Sequence, residues 1–164
     1  MKRKIILLLS AVIVGSVIGL FLSKTKAPGS GSFKSRYSDG KLRETGAIKQ
    51  GKLNGAFKSY YPNGRLKLVW NYKDGNKEGE ARFYFESGKL QAKVNYKNDK
   101  SHGISRFYFE NGKLQAEMSY KDGKLDGVSR TYRPDGELIY ADTYENGVMK
   151  SRQFPEENKA KKTE

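Results

Sequence analysis

Gly40, Gly64, Gly88, Gly112 and Gly136 stand 24 residues apart, and no gap interrupts the series. Two residues after each comes a leucine: Leu42, Leu66, Leu90, Leu114 and Leu138. A second glycine column holds Gly55, Gly79, Gly103 and Gly127. Tyr60, Tyr84, Tyr108 and Tyr132 form one tyrosine column, and Tyr72, Tyr96, Tyr120 and Tyr144 form another, with Ile48 in its first slot. Such a period restricts the chain to an array, because each short unit can bury its apolar face only against its neighbours.

Each unit reads as two strands and two turns. In residues 103–124, Ser105, Phe107 and Phe109 fall on one side, while Ile104, Arg106 and Tyr108 fall on the other. Glu110-Asn111-Gly112 is a turn, since Asn-Gly accepts positive φ at little cost. Leu114, Ala116, Met118 and Tyr120 then alternate with Gln115, Glu117 and Ser119, the pattern of a half-buried antiparallel strand. Lys121-Asp122-Gly123-Lys124 makes the second turn. The expected fold is an all-β repeat array of tandem antiparallel β-hairpins forming one elongated twisted sheet, preceded by an N-terminal transmembrane or signal-anchor helix. The end units are more polar where the middle ones are apolar. Glu44, Gly46 and Asp142 replace apolar residues, and Thr131 and Arg133 replace phenylalanines, as capping units require.

The N-terminus supports an anchor. Residues 1–4 are a basic start, and residues 5–22 run without a charge. As a helix this stretch spans about 27 Å, close to a hydrocarbon core of about 30 Å. The basic start favours a cytoplasmic N-terminus, with the repeats on the outer (periplasmic or extracellular) side. Secretion after signal cleavage is the alternative, but the best small-x-small site, Thr25-Lys26-Ala27, precedes Pro28. Ala11, Gly15 and Gly19 form a small-residue stripe suited to self-association of two such helices. Residues 23–32 read as a flexible linker, 33–150 as the repeats, and 151–164 as a disordered tail.

The formal net charge of +14 is concentrated near that anchor. Residues 33–73 hold ten basic and two acidic side chains, whereas residues 74–154 hold fourteen and thirteen. Lys34, Arg36, Lys41, Arg43, Lys49 and Lys52 form a membrane-proximal basic set that suits anionic lipid. A nucleic-acid partner is not favoured, because it would need no membrane address. A second candidate surface is the periodic stripe of Arg82, Arg106 and Arg130 with Tyr60, Tyr84, Tyr108 and Tyr132, since Arg and Tyr are enriched in binding hot spots. Cross-strand packing and cation–π contact within the array are the favoured reading of the same stripe.

Nothing in the sequence points to catalysis, a cofactor or a metal. Cysteine is absent, and His102 is the only histidine. It occupies a turn slot shared with Asn54, Glu78 and Asp126, which is unsuited to a catalytic triad or a zinc site. The expected chain is not an enzyme but a binding module with an unidentified protein partner.

Tyr60-Tyr-Pro-Asn-Gly-Arg-Leu66, Tyr84-Phe-Glu-Ser-Gly-Lys-Leu90, Tyr108-Phe-Glu-Asn-Gly-Lys-Leu114 and Tyr120-Lys-Asp-Gly-Lys-Leu-Asp-Gly127 resemble the MORN repeat family. They are most similar to the variant repeat of the YwqK-type antitoxin proteins. The resemblance spans about residues 33–150. It implies a non-catalytic scaffold for a protein partner or the membrane surface, to which the 5–22 segment would add the membrane anchor, or alternatively an antitoxin that neutralises a toxin by binding it. Asn98-Asp99 departs from the pattern, standing where the other units carry a turn glycine.

Overall fold

The computed structural model describes residues 29–155. The anchor at 5–22, the Ala11, Gly15 and Gly19 stripe and the last nine residues lie outside the described residues. No helix among the described residues is long and apolar enough to cross a membrane.

Within residues 29–155 the chain forms hairpins of a six-residue and an eight-residue strand. They are β1 (Gly31–Arg36) with β2 (Leu42–Lys49), β4 (Gly55–Tyr60) with β5 (Leu66–Lys73), and β7 (Gly79–Tyr84) with β8 (Leu90–Lys97). The series continues with β10 (Gly103–Tyr108) and β11 (Leu114–Lys121), then β13 (Gly127–Tyr132) and β14 (Leu138–Glu145). Two-residue strands lead from each hairpin to the next: β3 (Lys52–Leu53), β6 (Asn76–Lys77), β9 (Lys100–Ser101) and β12 (Lys124–Leu125). A last strand, β15 (Val148–Gln153), closes the far edge. All pair antiparallel in one open sheet that follows chain order, as the period implies. The array runs to Gln153, past the boundary at residue 150 expected from the sequence.

Two turns alternate. Within a hairpin, Gly64 N–H donates to the Tyr61 carbonyl and Tyr61 N–H to the Arg65 carbonyl, each at 2.8 Å. Only the glycine takes positive φ (84° at Gly64), which is a type I turn closed by a bulge glycine. Between hairpins, both central residues are positive, as at Asp74 (52°) and Gly75 (93°), which is a type I′ turn. The aberrant pair Asn98-Asp99 adopts the same turn, with φ of 50° and 65°.

The hairpins meet with a surplus. Between the pairs Thr45–Lys58 and Ile48–Leu53, β2 advances three residues while the following segment advances five. The same offset recurs between Val69–Arg82 and Tyr72–Lys77, between Lys93–Arg106 and Tyr96–Ser101, and between Glu117–Arg130 and Tyr120–Leu125. The second glycine column lies in this bulge, with φ of 80–96°. Extra residues on one strand bend and twist the sheet.

That bend creates the core. Phe57, Leu68, Trp70 and Ala81 are all 5% exposed or less, with no second layer over them among the described residues. A single sheet buries side chains this deeply only by curling around them. Rings meet along the curl, tilted at Phe33–Phe57 (6.3 Å), stacked at Phe57–Trp70 (6.0 Å) and edge-on at Trp70–Phe83 (6.1 Å). Gly46 makes room for this, because a Cβ there would lie 2.7 Å from the Phe33 ring.

Candidate functional site: a concave groove and a basic outer row

The curled face changes character along the array. Facing pairs at one level are Phe57–Trp70, Ala81–Val94, Ser105–Met118 and Ser129–Asp142. Two large rings fill the curl in the second hairpin. Smaller and more polar side chains leave it open in the last two. The result is a groove of about 720 Å³, walled by rings such as Phe83, Tyr96, Phe107, Tyr120 and Tyr140. That size falls within the usual range for ligand sites.

The groove floor is polar. Ser105 Oγ and Ser129 Oγ find no hydrogen-bond partner among the described residues. Asp142 is 3% exposed. Arg152 donates to it twice, from Nε at 2.6 Å and Nη2 at 2.7 Å. The same guanidinium sits 3.9 Å above the Tyr140 ring. The hydrogen bond to Asp142 is the main cause holding Arg152 above its ordinary pKa. Burial raises the Tyr96 and Tyr120 phenols. Sequence reasoning assigned Asp142 to a cap and placed Arg152 in the tail, so it missed the pair. The two face each other only through the pairing of β14 with β15.

The periodic arginines lie on the opposite face. Their cross-strand pairs join into one transverse row: Lys34, Thr45, Lys58, Val69, Arg82, Lys93, Arg106, Glu117, Arg130, Ala141 and Gln153. Arg82 contacts Glu80 at 2.6 Å, while Arg106 and Arg130 share Glu117 at 2.9 and 3.5 Å. Glu80 is the main cause raising the Arg82 pKa, with Tyr84 a lesser one, so this arginine and tyrosine of the stripe lie close together. At each tyrosine of the column the register shifts. Tyr60, Tyr84, Tyr108 and Tyr132 pair with the leucines that follow the turn, one residue nearer the turn than continuous pairing would give. Of the membrane-proximal set, Lys34 belongs to the row, while Arg36, Lys41, Arg43, Lys49 and Lys52 are exposed around the first two turns.

His102 makes no hydrogen bond through Nδ1 among the described residues. Its Nδ1 lies 3.5 Å from Asp122 Oδ1. The other members of its column also reach 20 residues ahead: Asn54 Nδ2 donates to Asp74 Oδ1, while Glu78 and Asp126 accept from the amides of Asn98 and Asn146. No group of three or more His, Asp or Glu side chains among the described residues is arranged to hold a metal.

No curated protein matches the chain significantly. Among solved structures, one titled "Crystal Structure of TarM" matches over 73% of this chain and 21% of that one, so this chain spans about a fifth of its length. The identity is 12% and the TM-score 0.39, and no functional conclusion follows from a likeness that low. A family model described as the MORN repeat variant matches residues 53–74, 77–98, 101–122 and 125–146. Those segments make up more than half of the chain and coincide with the unit seen in the sheet, so this chain belongs to the MORN repeat variant family.

Proposed function

We propose that this protein is a non-catalytic binding scaffold, anchored by residues 5–22 with its repeats on the outer side of the membrane, and that it docks a segment of a protein partner in the concave groove. The MORN repeats support a binding module in general. The groove carries the more specific reading. The curl that Phe57 and Trp70 fill in the second hairpin is left open at Ser105, Met118 and Ser129, with aromatic walls around it. Aromatic walls with a few fixed polar groups suit an amphipathic peptide segment. A toxin is one such partner. The antitoxin reading requires it to lie on the same side of the membrane as the repeats.

The test is to fill the groove with the protein's own solution. The double variant Ser105→Phe/Met118→Trp copies the Phe57–Trp70 pair into the fourth hairpin. A photo-crosslinking residue at Phe109 reports on occupancy in native membranes. The expected result is a specific protein adduct in the parent that is lost in the filled variant, while the thermal melt stays cooperative. An adduct that persists after filling, or no protein adduct in the parent, refutes docking in the groove. Protease accessibility of a C-terminal tag in intact cells tests the orientation separately.

A further inference from the structure

We infer that the transverse row on the outer face is a track for a linear phosphate polymer, a site distinct from the groove on the opposite face. Six of its eleven positions are cations (Lys34, Lys58, Arg82, Lys93, Arg106 and Arg130) and one, Glu117, is an anion. Strands lie about 4.8 Å apart, so the ten steps of the row cover roughly 48 Å.

The charge is arranged as a line. The neighbouring row toward the type I′ turns, which includes the pairs Ser32–Ala47 and Val128–Thr143, contains a single charge, Glu80. On the other side, Arg43 and Lys67 are basic in the first two hairpins, but Gln91, Gln115 and Ile139 follow in the same slot. From the third hairpin onward the basic track is one residue wide. A flat anionic surface would call for a patch, whereas a single polyanionic strand needs only a track.

The row also has a structural cost. Arg82, Lys93 and Arg106 are direct cross-strand neighbours, and like charges placed opposite each other destabilise a sheet. The Arg106–Glu117–Arg130 segment shows the neutralised alternative in the same protein. Lys34, Lys58 and Lys93 make no ion pair among the described residues, so their ammonium groups are available to a ligand. Guanidinium and ammonium groups both bind phosphate oxygens, the former bidentately. Each neutralised phosphate releases counterions, which makes such binding steeply salt-dependent.

The experiment uses the full-length protein in a neutral detergent, with fluorescent long-chain polyphosphate followed by anisotropy over a salt series. The row variant is Lys34→Gln/Lys58→Gln/Lys93→Gln. The control, Lys73→Gln/Lys97→Gln/Lys121→Gln, removes the same charge from exposed lysines off the row. The row variant should bind at least about tenfold more weakly, with a salt slope shallower by roughly three, and the control should stay within about twofold of the parent. Tripolyphosphate should compete poorly at equal phosphate concentration. Equal losses in the two variants would mean attraction by net charge alone and would overturn the proposal. So would tripolyphosphate competing as well as the polymer, or phosphatidylglycerol vesicles binding with the same sensitivity to the row while polyphosphate does not bind.

Discussion

Asp99 sits at a φ of +65°, where the equivalent residues of the other type I′ turns are glycines. An L-residue there costs roughly 1–2 kcal/mol, and Asp and Asn tolerate it best. Its carboxylate Oδ1 accepts the Lys77 amide at 2.8 Å, and its own amide donates to the Lys77 carbonyl at 3.1 Å. Gly75, Gly123 and Gly147 make the corresponding amide bond but lack the carboxylate acceptor. Asp99→Ala removes that acceptor and keeps the strain, so it should lower stability by about 1–2 kcal/mol in denaturant melts. Asp99→Gly removes both and should melt clearly above Asp99→Ala. Equal melts would show that backbone strain does not govern this turn.

At the scale of the strand, the far edge differs from the middle of the array. β15 is exposed along its whole length and contributes Arg152 to the buried Asp142. A carboxylate that is 3% exposed is tolerable only with its charge answered. Arg152→Ala should therefore destabilise the protein. The full penalty for breaking a buried pair is about 3–5 kcal/mol. The Arg152 side chain is itself 39% exposed, so a loss of about 1–3 kcal/mol is expected after allowing for solvent screening. Lys150→Ala, which removes an exposed pair with Glu145, is the comparison and should cost well under 1 kcal/mol. If the two variants unfold alike, the Asp142–Arg152 pair behaves as a surface contact.

At the scale of the whole molecule, one tyrosine per unit runs along the curled face. Burial is the chief cause raising the Tyr72, Tyr96 and Tyr120 phenols above their ordinary value. The folded array therefore holds these protons more tightly than the unfolded chain, which releases them near pH 10. The stability from the neutral phenols is fully present below about pH 10 and is lost as pH rises through the raised folded values. Unfolding free energies measured from about pH 8 to about pH 11 should be flat and then fall. The fall should shrink in Tyr96→Phe/Tyr120→Phe. An unchanged slope in that variant would mean that other groups control the alkaline limb. The same variant should also trim the Tyr72 response slightly, because Tyr96 is a lesser cause of its raised value after burial and Asp99.

Local rules made much of this legible in the sequence. The 24-residue period, the turn glycines and the alternation of Leu114, Ala116, Met118 and Tyr120 depend on residues close in the chain, and they determined the strands, the turns and the buried face. The polar end units were legible for the same reason. The groove was not, because the curl comes from the two-residue surplus where one hairpin meets the next, and no single unit contains that mismatch. The basic row was half legible. Arg82, Arg106 and Arg130 repeat in the sequence, but Lys93 falls between them and joins the row only through cross-strand register. Alternation and turn type are encoded within one hairpin, where side chain and backbone geometry fix them. Curvature, and which charges stand side by side, arise between hairpins, so only the assembled sheet decides them.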